Sequence, residues 1–156
     1  MLEKLSMQLS RRLVLKGSLA LAALSALPRT LLAAAWPDKA FSETAASDAM
    51  NDLFGTDQTT ASDQVMLKVP QIAENGAVVP VTITTTLEDV ESISIVVGKN
   101  PRPLAATFEL QPGTLPELAS RIKMGQTSDV MAVVKTKSGL FSTTKEVKVT
   151  IGGCGG

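Results

Sequence analysis

Residues 78–98 read VVPVTITTTLEDVESISIVVG, and their alternation decides the fold. Val79, Val81 and Ile83 fall on one face of an extended chain, while Thr82, Thr84 and Thr86 fall on the other. That period of two marks a strand with one face buried. Ile93, Ile95 and Val97 repeat the pattern, and Gly98 ends it. Glu88, Asp89 and Glu91 lie between the two runs and read as a solvated turn.

The same rhythm extends in both directions. Upstream, Val65, Leu67 and Val69 alternate until Pro70, and Glu74-Asn75-Gly76 is a turn signal. Downstream, the segment Asn100-Pro101-Arg102-Pro103 reads as a stiff loop. Ala106, Phe108 and Leu110 then mark a fourth strand, closed by Pro112-Gly113. Leu118, Ile122 and Met124 mark a fifth, closed by Gly125, which is expected to supply a positive φ. Val130, Ala132 and Val134 give a sixth. After the turn Lys137-Ser138-Gly139, a long seventh points Val147, Val149 and Ile151 one way and Lys148 and Thr150 the other.

Seven short alternating strands predict an all-β domain over 64–151, an immunoglobulin-like antiparallel β-sandwich. Residues 38–54 predict one short N-terminal helix, with Phe41, Ala45, Ala49 and Leu53 on a stripe and Ala46 and Met50 beside it. Asp38 is expected to cap it and Gly55 to end it. Residues 56–63 read as a polar linker, so the helix and linker together span 36–63.

Composition narrows the chemistry. The chain of 156 residues has no His, no Tyr and one Cys. Ser–His and Cys–His nucleophile pairs are therefore excluded within it. A zinc site lacks its usual nitrogen and sulfur donors. No cofactor and no metal are expected, and no catalytic residue is assigned. The fifteen basic and fifteen acidic groups balance only because of the N-terminus: beyond residue 35, ten basic and fourteen acidic groups remain. That excess of negative charge argues against a nucleic-acid partner.

The first 35 residues read as a twin-arginine signal peptide. Ser10-Arg11-Arg12 opens it, Val14 stands where Phe is most usual, and an apolar run extends from Leu19 to Leu27. Ala33 and Ala35 are suited to cleavage just before Trp36. The run is too short for a membrane anchor. The expected destination is the periplasm, with no membrane attachment after cleavage. Because this route moves folded proteins, a companion subunit bound before export is expected.

The tail carries the one reactive group. The chain ends IGGCGG, with Cys154 between Gly152-Gly153 and Gly155-Gly156. Glycines have nothing to bury and high backbone freedom, so residues 152–156 are expected to form a thin, flexible carrier arm. A thiolate is a good nucleophile and leaving group, and no base in this chain is placed in sequence to ionise it. Activation would then come from a visited enzyme, which is the behaviour of a substrate carrier and not of an enzyme. The alternative is a non-catalytic adaptor that uses Cys154 only for an intermolecular disulfide.

Four segments carry a family resemblance: IAENGAVVPVTI at 72–83, KNPRPLAATFEL at 99–110, KMGQTSDVMAVVK at 123–135 and VTIGGCGG at 149–156. They resemble SoxY, the sulfur-carrier family of the bacterial Sox thiosulfate-oxidising system. The resemblance implies an immunoglobulin-like fold and a heterodimer with SoxZ. It also implies covalent attachment of thiosulfate to Cys154, with Gly152, Gly153, Gly155 and Gly156 as the swinging arm. The implied transient partners are the haem enzyme SoxXA, the hydrolase SoxB and the sulfur dehydrogenase SoxCD. Arg102 and Arg121 are candidates to pair with an anionic adduct or another chain.

Overall fold

The computed structural model describes residues 36–150. The expected signal peptide at 1–35 and the tail from Ile151 to Gly156 lie outside the described residues.

Two short helices come first, α1 (Asp38–Ser42) and α2 (Ala46–Phe54). Nine strands follow: β1 (Thr60–Ala61), β2 (Val65–Lys68), β3 (Ile72–Ala73), β4 (Val79–Thr85), β5 (Val90–Val97), β6 (Leu104–Glu109), β7 (Glu117–Ile122), β8 (Ser128–Thr136) and β9 (Gly139–Val149). The larger sheet runs β1-β9-β8-β5-β6, with β3 also paired to β9, and the smaller runs β2-β4-β7. This is the expected sandwich of immunoglobulin-like type, mostly antiparallel.

The alternation on which the fold was read is the register of the core. Across β5 and β8, Ile93 faces Val134, Ile95 faces Ala132 and Val97 faces Val130. Opposite them lie Val65 and Leu67 of β2, Val79, Val81 and Ile83 of β4, and Ile122 of β7. Each fully buried Ile or Val of this kind stabilises by about 1.5–3 kcal/mol before conformational entropy is counted.

The outer face of the larger sheet is also covered. Val96, Leu104 and Val133 form a second core with Ala40, Ala49 and Met50 of the helices. Burial on both faces explains why β5 ends in an unbroken apolar run, Ile95-Val96-Val97, and not in strict alternation. Ser94 is fully buried, and its hydroxyl meets Thr107 Oγ1 at 2.7 Å. Among the described residues no buried side-chain nitrogen or oxygen lacks a partner.

Four expectations are corrected. The single helix over 38–54 is two helices. Ser42 Oγ donates back to the carbonyls of Asp38 and Lys39, at 2.8 and 2.9 Å, and the chain turns extended at Glu43. Ala45 is consequently the extended residue before α2 and leaves the buried stripe. Asp38 is not the cap; Pro37 precedes α1, and Asp38 sits in its first turn. Gly55 does end α2, left-handed at φ 79°, its N–H bonded to Asn51 O at 2.8 Å.

Pairing is also not antiparallel throughout. β1 and β3, two residues each, join β9 in parallel. The segment read as a linker therefore contains sheet, anchored by Ser62 N–H to Ser142 O at 3.0 Å. Finally, Gly125 does not have a positive φ; among the described residues the glycines that do are Gly55, Gly113 and Gly139. The turn around Gly125 is shaped by side-chain hydrogen bonds, described below.

Candidate functional site

The one reactive thiol, Cys154, lies outside the described residues with Gly152, Gly153, Gly155 and Gly156. What the structure does define is the ground on which that tail stands. β9 closes at Val149, and the next residue, Thr150, is still bonded. Thr150 N–H donates to Ala73 O at 3.0 Å, and Lys148 N–H donates to Gln71 O at 3.0 Å. Both bonds belong to the parallel pairing with β3, in which Ile72 is level with Lys148 and Ala73 with Val149. On the opposite edge, Val149 N–H donates to Thr127 Oγ1 at 3.0 Å.

Three loops gather around this point. The turn after β3 brings Gly76 against the β7–β8 loop, where Met124 N–H donates to Gly76 O at 2.7 Å. A Cβ on Gly76 would stand 2.3 Å from Met124 O and 2.8 Å from Val149 Cγ1. Glycine is required there by close approach, not by a left-handed backbone. Met124 is 2% exposed, so its side chain pins the loop into the core. The β5–β6 loop contributes Asn100, whose Nδ2 donates to Lys123 O at 2.7 Å and whose Oδ1 accepts from Gly125 N–H at 3.2 Å. Gln126 Nε2 donates to Lys99 O at 3.1 Å, and Lys99 N–H donates to Ser128 Oγ at 2.9 Å.

Around this end the surface is mixed. Lys99 and Lys123 are exposed on the two loops. Beside β3, Ile72 and Val78 are about half exposed, at 57% and 50%. With Pro70 and Pro80 they line a shallow groove of about 380 Å³.

Other candidates fall elsewhere. Arg102 is exposed in the β5–β6 loop at the same end, while Arg121 lies opposite Pro80 on the outer face of the smaller sheet. The acidic turn lies at the far end of the sandwich. Asp89 there is left-handed at φ 53° and pairs with Lys137 at 3.2 Å, and Glu91 pairs with Lys135 at 3.0 Å. Both are ion pairs at a solvated turn. Among the described residues no group of His, Cys, Asp and Glu is arranged to hold a metal ion.

Sequence reasoning marked the 123–128 segment as a turn with a family likeness and, as the alternative, a partner or client surface. It missed Asn100 and Thr127 as the residues that tie that turn to the end of β9. A polar side chain flanking each of two adjacent-looking turns was the available signal.

Fold and site together define a class: a β-sandwich whose last strand is held on both edges at the point where a glycine-cysteine tail begins. A family model described as sulfur oxidation protein SoxY matches residues 50–154. The chain belongs to the SoxY family. The solved structure of the sulfur carrier protein SoxY from Chlorobium limicola f thiosulfatophilum is 38% identical, with a TM-score of 0.61, over 67% of this chain and 94% of that one. A superoxide reductase (neelaredoxin) from Ignicoccus hospitalis has a TM-score of 0.53 at 14% identity, over 59% of this chain and 95% of that one. At that identity it shows the sandwich fold alone. Comparison with curated proteins finds no match.

Proposed function

We propose that this chain is a periplasmic carrier on which thiosulfate is oxidised while covalently bound to Cys154. The observation that supports this reading is the end of β9. Thr150 is fastened to β3 at the surface, and Cys154 follows four residues later in GGCGG. At ~3.3–3.6 Å per residue, the sulfur reaches roughly 13 Å beyond Thr150. That is deep enough to enter another protein's active site, and glycine flanks keep the arm narrow.

The chemistry balances with enzymes outside the chain. The Cys154 thiolate and thiosulfate form one S–S bond and release two electrons, which a haem enzyme of the SoxXA kind accepts. Water then splits the terminal S–S bond of the adduct, as SoxB would do, releasing sulfate and two protons and leaving a persulfide. A sulfur dehydrogenase of the SoxCD kind takes six electrons from that outer sulfur, three waters supplying its oxygens and six protons leaving, and a second hydrolysis then releases sulfate and restores the thiolate. The carrier contributes reach and a leaving thiolate, and SoxZ is the proposed subunit with which it is exported, residues 1–35 being removed once the pair has crossed. No residue of the chain is assigned a catalytic role.

The competing reading, an adaptor linked through a Cys154 disulfide, makes a different mass prediction. Intact mass spectrometry of the native complex should find added sulfur or thiosulfate on the terminal peptide. Replacing Cys154 by Ser should abolish thiosulfate-dependent electron release in a reconstituted system without altering the fold. Disulfide dimers or glutathione caps as the sole modifications, with turnover intact in Cys154→Ser, would establish the adaptor instead.

A further inference from the structure

We propose that Thr127 and Asn100 are positioning residues that set where the terminal arm begins, an inference that rests on the carrier reading above. The β8–β9 ladder ends with Ser128 opposite Val147. One ladder step further, Val149 would face Gln126, but the chain has already turned away into the β7–β8 loop. The Val149 N–H is thereby left without a main-chain acceptor from β8. The Thr127 hydroxyl takes that place at 3.0 Å. Lys148 and Thr150 point their N–H groups the other way, to Gln71 and Ala73. The amides of Lys148, Val149 and Thr150, across the end of the strand, are therefore gripped alternately from its two edges.

Thr127 can do this only while its loop keeps its shape, and on the Thr127 side of Met124, which is tied to Gly76 O, the loop has no backbone constraint of its own. Gly125 has open space around its Cα and no left-handed φ. Asn100 supplies the constraint from 25 residues away, accepting from Gly125 N–H and donating to Lys123 O, so that its amide spans the turn. Gln126 and Ser128 add bonds to Lys99 on either side. The chain of contacts runs from the β5–β6 loop through the β7–β8 loop to Val149.

The consequence is a defined root for the arm. With Val149 held, the strand end is fixed from both edges up to Thr150. With it released, only the β3-side bonds of Lys148 and Thr150 remain, and the strand end can swing about that edge. A swinging root spreads the thiol beyond it over a larger volume and lowers its effective concentration at a partner's entrance.

The test uses the full-length chain with Thr127→Val, which keeps the shape and removes the acceptor, and Thr127→Ser, which keeps the acceptor. Amide exchange is followed at Val149 and Thr150 and, as a reference, at the core residues Ile95 and Val134. A nitroxide on Cys154 reports arm motion, and sulfate release by the hydrolase from thiosulfate-loaded carrier gives KM and kcat. In Thr127→Val, exchange at Val149 should rise about tenfold and at Thr150, still bonded to Ala73, by less, with the core amides unchanged, because the opening is local. The nitroxide lines should narrow, and KM should rise about threefold or more with kcat within about twofold, as for lost positioning before chemistry. Thr127→Ser should match the parent, and Asn100→Ala should reproduce Thr127→Val. Unchanged exchange and line shape in Thr127→Val, core amides loosening in step, or a Ser variant as impaired as Val would each overturn the proposal. A parent chain that never loads thiosulfate would instead overturn the carrier reading, since exchange and line shape judge the positioning role without it.

Discussion

Gly76 and Gly125 lie on two loops that meet at Met124, yet they respond to a methyl group in opposite ways. A Cβ at Gly76 meets backbone, Met124 O at 2.3 Å, which cannot swing aside as a side chain would. Gly76→Ala should therefore cost about 1–3 kcal/mol in urea unfolding, the range for forced overpacking. At Gly125 nothing lies within 4 Å and φ is not left-handed. Gly125→Ala should stay within about 0.5 kcal/mol of the parent, or gain slightly by restricting the unfolded chain. Legibility at this scale was uneven. The GGCGG tail is readable from residue types alone, since four glycines around one thiol leave nothing to pack. The bracket at Thr127 and Asn100 is not, because its bonds join residues 22 to 25 apart and obey no local period.

Among the elements, strands were legible wherever one face is buried and the other wet, as in β4, where Val79, Val81 and Ile83 alternate with Pro80, Thr82 and Thr84. The two-residue strands β1 and β3 are too short to carry a period, so they were hidden in segments read as linker and turn. The helix was placed correctly in the chain but drawn as one, since an apolar stripe cannot report that Ser42 bends back on its own turn. The two helices still act together on the outer face of the larger sheet. Met50 is 3% exposed in that second core. Met50→Ala should cost about 2–5 kcal/mol by the cavity it leaves, and the loss should show first as exchange at Val133 and Leu104. α1 and α2 are also linked by Lys39 and Asp52 at 2.6 Å. The hydrogen bond and charge of Asp52 raise the Lys39 pKa above its ordinary 10.5. A lysine raised on folding stabilises fully below its unfolded pKa and loses that contribution as pH climbs through the folded value. The effect is small for so exposed a group. The gap in thermal midpoint between the parent and Asp52→Asn should therefore be constant below the lysine range and close as pH climbs through it.

For the molecule as a whole, stability and carrier chemistry should separate. Ile95 is fully buried at the centre of the main core. Ile95→Ala should cost about 2–5 kcal/mol in denaturant unfolding while leaving Cys154 as reactive toward a thiol reagent as before in the folded fraction. Cys154→Ser should do the reverse, with an unchanged unfolding midpoint and no sulfur-bearing terminal peptide. This separation follows from topology, because the main core is built from strands whose buried residues precede the tail. The placement of β9 adds a mechanical consequence. It lies between β8 on one edge and β1 and β3 on the other, not at the rim of its sheet. Sheet hydrogen bonds lie across the strand direction, so tension applied to the C-terminus loads many of them together in shear. On the carrier function proposed above, the recoil from a thiol drawn back out of another protein would be shared among several strands, and the sandwich is expected to withstand repeated cycles of capture and withdrawal.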